Sequence, residues 1–191
     1  FMKQGDDVVH LHYLGSLFDE TDFELYEKKL NSVNLQFSRY DQHGDIKANY
    51  ELYELKVFIA VSTPIIYEIL KGIGTNAVWD IIKFLLISGW KKTKNKFGYK
   101  RQSNTTQKRE MSFGLKVSLD RNTSFNFHLN GDLDEETVLI SLDKILEFLK
   151  DQNLKSKYHF PDYVYFDENK NEWIKIDVEK EIRKSREENS N

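Results

Sequence analysis

The stretch Glu68–Lys96, "EILKGIGTNAVWDIIKFLLISGWKKTKNK", joins a Gly-x-Gly at Gly72 and Gly74 to an apolar run and then to a burst of lysines. A phosphate-binding glycine loop needs a strand before it and a helix after it, so that backbone N–H groups and the helix dipole converge on the anion. Here the preceding segment, "TPIIYEILK", carries proline near a helix start, with Thr63 as its expected cap. Gly72 suits the left-handed position that ends such a helix, and Thr75 or Asn76 caps the next one. The Lys-Ser/Thr of a nucleotide loop and a third glycine at dinucleotide spacing are both missing. The stretch therefore predicts a corner between two helices. The second, Asn76–Trp90, is apolar almost all round and is expected to be the most covered helix of the fold.

Outward from that corner, "VVHLHYLG" (Val8–Gly15) alternates as a first strand, and Phe23, Tyr26, Leu30 and Val33 follow at helical spacing behind a crowd of acids. "NLQFSRY" and "YELYELKVFIAV" read as strands, the second becoming continuously apolar. "FGLKVSLD" and "SFNFHLNG" about "RNT" form a hairpin. Val138, Leu142, Ile145 and Leu149 mark an amphipathic helix opened by a capping box at Asp132–Glu135 and ending near Asp151. A second hairpin, "YVYFDENKNEWIKI", precedes a charged tail. The order predicts an α+β fold, a ferredoxin-like mixed or antiparallel sheet covered by helices. The expected core domain spans residues 1–150 and includes a basic loop at 91–111. Residues 151–191 are expected to be a hairpin-helix appendage.

Composition excludes several classes. The chain has 191 residues and no cysteine, which removes disulfides, thiolate metal sites and cysteine nucleophiles and suits a reducing, cytoplasmic setting. The opening residues turn acidic where a secretory segment runs apolar. Pro64, Glu68, Lys71, Asp80 and Lys83 interrupt the most hydrophobic region, so no membrane span is expected. Aromatics at 14% argue for a packed core rather than disorder.

Candidate chemistry is sparse. His10 and His12 share a face of the first strand, and three imidazoles could hold zinc only if the strand bearing His128 lay beside it. "DQHGD" brings Asp41, His43 and Asp45 together, but a glycine-containing turn uses aspartates for its own backbone. Asp134 and Glu135 are explained by the helix cap, and no serine elbow occurs. No catalytic residue, metal site or cofactor is assigned, and an enzyme whose site is non-local and marked by no motif stands as an alternative to an interaction module. The lopsided feature is charge. Between Asp80 and Glu110 there is no acid and there are nine basic residues, which leaves the remainder with 19 basic against 31 acidic. Lys91, Lys92, Lys94, Lys96, Lys100, Arg101, Lys108 and Arg109, interleaved with Phe97 and Tyr99, form the candidate binding segment. Two occupants fit it: an acidic protein surface, which the acidic remainder favours, or a nucleic acid whose phosphates meet the cations while bases stack on the rings.

The β-α start at 8–33, the apolar strand ending in Ser62-Thr63, the glycine corner, the helix finishing "SGWKK" and the run "FGLKVSLD…SFNFHLNGDLDEETVLISLDKILEFL" together resemble the effector-associated constant component modules of bacterial conflict and defence systems. The resemblance covers about 8–150 and implies a small, non-catalytic adaptor-like domain acting through protein–protein interaction or homo-oligomerisation. It transfers no functional residue.

Overall fold

The structure is a computed structural model that describes residues 7–42, 57–72, 75–102, 105–120, 123–154 and 162–176. Seven strands form one mixed sheet. They are β1 (Val8–Tyr13), β2 (Gln36–Asp41), β3 (Val57–Val61), β6 (Phe113–Ser118), β7 (Ser124–Leu129), β8 (Asp162–Asp167) and β9 (Glu172–Lys175), ordered β2-β1-β3-β6-β7-β8-β9. Two further strands, β4 (Phe97–Gln102) and β5 (Thr105–Glu110), pair with each other in a sheet of their own. The helices are α1 (Glu20–Asn31), α2 (Thr63–Lys71), α3 (Thr75–Thr93) and α4 (Glu135–Leu154).

The connections explain the mixed pairing. Adjacent parallel strands need a crossover, usually helical. Accordingly β1 and β2 are joined through α1, β3 and β6 through α2 and α3, and β7 and β8 through α4. Helix-linked parallel pairs alternate with antiparallel ones (β1/β3, β6/β7, β8/β9). This establishes an α+β fold with a seven-stranded sheet and does not establish the ferredoxin-like order expected from the sequence. The C-terminal hairpin forms the outer pair of the main sheet, with Val164 and Trp173 in the core.

One face of the sheet carries the core. Strand alternation puts Val9, Leu11, Val57, Ile59, Val61, Phe113, Leu115, Val117, Phe125, Phe127 and Leu129 on it, all buried. Each helix covers part of this face. Tyr26 of α1 meets Phe37 edge-on at 6.1 Å, Phe148 of α4 meets Phe125 and Phe127, and α2 packs beside β6. Helix α3 lies centrally, touching α1, α2, α4, β3 and β6, and it buries Trp79, Ile82, Leu85, Leu86 and Trp90. The all-round apolar pattern of 76–90 foretold that position.

Local details follow the sequence with small shifts. Gly72 closes α2 at φ 80°, as the glycine corner requires. The residue before α2 is Ser62 rather than Thr63, with Pro64 inside the first turn. The cap of α4 is Asp134, two residues later than expected, and it accepts from Thr137 N at 2.8 Å and Thr137 Oγ1 at 2.9 Å. Helix α1 has a capping box between Asp19 and Asp22 that the sequence reading had not assigned. Residues 43–56 contain the DQHGD turn at His43–Asp45 and the first half of the expected long strand. Those and the charged tail 177–191 lie outside the described residues.

Candidate interaction surface

The basic segment is not the loop its composition suggested. Its first residues, Lys91 and Lys92, belong to the last turn of α3, where cations complement the dipole. The chain then turns at Asn95, in the left-handed region at φ 60°, and runs into β4. Strands β4 and β5 pair antiparallel from Phe97↔Glu110 to Gln102↔Thr105, and sequence positions 103–104 connect them. A ladder of alternating Phe97, Tyr99 and Arg101 with Thr105-Thr106 after a two-residue link is a hairpin signal. It was masked by the density of charge.

The structure separates the predicted site residues into two groups. Lys91 Nζ donates to Glu135 Oε1 at 2.6 Å, tying α3 to the first turn of α4. Lys92 Nζ donates to Asp22 Oδ2 at 2.7 Å, and the same oxygen accepts from Asp19 N within the capping box of α1. The Lys94 ammonium lies 4.6 Å from the centre of the Trp90 ring. Lys91 and Lys92 therefore reach across to α4 and α1, whereas Lys94 stays over a ring at the end of its own helix. Lys96 is exposed, and its backbone closes the base of the ribbon: Lys96 N donates to Thr93 O, and Met111 N donates to Lys96 O, both at 2.9 Å.

Lys100, Arg101, Lys108 and Arg109, with Phe97 and Tyr99, are gathered on the ribbon by its register. The register pairs Phe97 with Glu110, Gly98 with Arg109, Tyr99 with Lys108, Lys100 with Gln107, Arg101 with Thr106 and Gln102 with Thr105. Residues sequence reasoning left out supply the anchor. Trp90 Nε1 donates to Asn130 O at 2.8 Å, and a Cβ at Gly131 would come 3.1 Å from Met111 O. The ribbon base thus rests on the turn between β7 and α4.

The three histidines share the sheet face opposite the helices but do not converge. The register runs His12–Phe58–Gly114–His128, so β3 and β6 separate the two rings by three strand spacings, about 14 Å. His10 lies in the neighbouring row, against Ser38 and Ala60. His12 stacks on Phe58 at 4.4 Å and approaches Gln42 Nε2 through Nδ1 at 3.1 Å. Among the described residues no group of three potential ligands could hold a metal ion, and no helix is long and apolar enough to cross a membrane.

Fold and surface together define a one-sided α+β sheet domain with a separate basic two-stranded ribbon. Comparison with protein-family models, curated proteins and solved structures gives no match to this chain.

Proposed function

We propose that this protein is a non-catalytic interaction module that presents the β4–β5 ribbon to an acidic partner. The observation that carries the reading is that the second half of the basic segment, strands β4 and β5, pairs as a sheet of its own, outside the seven-stranded sheet that holds the core. Its register gathers four cations and one carboxylate on two short strands. Association steered by such a charge cluster is fast and dependent on salt. The resemblance to effector-associated modules supports the same role and suggests the setting, an accessory adaptor in a bacterial defence system.

The test is to titrate labelled polyglutamate and a labelled DNA duplex, two polyanions of different chemistry, with the full chain and with a chain whose residues 97–110 are replaced by Gly-Ser. At least one polyanion is expected to bind the full chain and to be lost with the ribbon, while the melting transition is retained. Failure of the full chain to bind either, or undiminished binding by the shortened chain, contradicts the proposal.

A further inference from the structure

We infer that the outer seam between α3 and α4 is a self-association surface, on which a second copy of this chain seats about a two-fold axis running along the seam. The inference is independent of the ribbon.

The seam is a ladder of side chains. Lys83 Nζ of α3 lies 3.2 Å from Asp143 Oδ1 of α4, and Lys91 Nζ lies 2.6 Å from Glu135 Oε1. Numbers rise along one helix as they fall along the other, so the two helices run antiparallel. Ile87 and Leu139 each stand one turn from both ion pairs, and therefore share the height between them. Ile87 is half-buried against the core. Leu139 is 43% exposed and its neighbour Ile140 is 37% exposed, so the outward side of the ladder keeps an apolar centre between two layers of charge. An apolar centre inside a polar rim is the anatomy of a protein interface.

Charge selects the occupant. In each layer the cation belongs to α3 and the carboxylate to α4. A two-fold axis along the seam lays α3 of one copy over α4 of the other at equal height, so each lysine meets a carboxylate of the second copy and Leu139 meets Ile87. Lys91, Glu135 and Asp143 keep half or more of their side-chain surface exposed, which leaves them capacity for that second contact. Every adjacent pair of the four helices is then antiparallel, as in an up-and-down bundle. A uniformly acidic or basic partner would instead meet a like charge in both layers. Helices of 19 and 20 residues are about 30 Å long and side by side about 20 Å wide, so pairing two such faces covers about 1,200 Å² in total. That area is at the lower end of specific interfaces and predicts reversible association of micromolar strength.

The experiment is sedimentation velocity of the full chain from about 1 μM to about 1 mM, the range in which an interface of this size dissociates. A reversible monomer–dimer equilibrium is expected. Leu139→Glu sets a carboxylate in the apolar centre twice per dimer and should raise the dissociation constant about 100-fold. Leu25→Glu, at a comparably exposed position of α1 (41%), should leave it unchanged. Lys91→Glu and Glu135→Lys, each alone, bring like charges face to face and should weaken pairing at least about tenfold. Mixing these two variants restores opposite charges across the axis, and a heterodimer of close to parental affinity is expected. A variant that merely damages its own fold cannot be rescued in this way, and circular dichroism melting shows which variants stay folded. A chain that is monomeric up to about 1 mM overturns the inference. So does association that Leu139→Glu leaves intact, that mixing fails to restore, or that is lost when residues 97–110 are replaced by Gly-Ser.

Discussion

Gly89 permits a close approach between the central helix and Phe113 of the sheet. A Cβ there would fall 2.2 Å from the tip of the Phe113 ring, which is fully buried. Gly89→Ala gains about 1 kcal/mol of helix propensity but forces that ring out of a packed position, at a cost of about 1–3 kcal/mol or more. The expected net result is a loss of about 1–2 kcal/mol in chemical denaturation, and an unchanged or raised midpoint would refute the close contact. Tyr26 makes a second residue-scale prediction. Burial raises its phenol from the ordinary 10.0 to about 12, against the opposing hydrogen bond to Ser88 Oγ at 2.9 Å. Because the folded value is raised, the contribution is complete below pH 10.0 and is lost as pH rises through about 12. Tyr26→Phe should cost about 1 kcal/mol at neutral pH and flatten the alkaline fall in stability. A variant that keeps the parent's alkaline slope places the titration elsewhere.

At the scale of elements, the two lysines that end α3 differ in consequence. Lys92 pairs with Asp22, whose side chain is only 15% exposed, while Lys91 pairs with Glu135, half exposed at 53%. Lys92→Gln is therefore expected to cost about 1 kcal/mol and Lys91→Gln close to nothing, measured by thermal melting at moderate salt. Equal effects would show that the capping box of α1 does not depend on its lysine. At the start of α4, backbone and side-chain hydrogen bonds from Thr137 lower the pKa of Asp134. Its stabilisation is present above the ordinary carboxylate range and fades as pH falls through the depressed value. Asp134→Asn, still a competent cap, should remove that acid dependence without removing the helix. Periodic elements such as α3 and α4 were legible because their apolar spacing is local. The ribbon was not, because an alternation of rings, threonines and cations has no apolar stripe to display it. The cap of α4 moved from Asp132 to Asp134 because either aspartate can cap a helix start, and the hydrogen bonds from Thr137 fix the later one.

For the whole molecule, the sequence made the α+β class readable but not the sheet order, since pairing between distant strands leaves no local mark. Val164 and Trp173 illustrate this. Their hairpin reads as an appendage, yet Trp173 Nε1 donates to Ser141 O at 2.7 Å and its ring packs edge-on against Phe127, binding the last strands into the core. The histidines show the converse. His12 and His128 lie in one register row, and only the strand order reveals that two strands divide them. At this scale the central claim is that contact with an acidic partner is confined to an element the core does not need. Amide chemical-shift mapping of the full chain on addition of a DNA duplex tests it most directly. The predicted result is perturbation concentrated at 96–111, with α1, α2, α4 and the seven-stranded sheet unmoved. Perturbation centred on the opposite sheet face, around His10, Ala60 and Lys116, or spread through the helix layer while the ribbon stays unchanged, would contradict it.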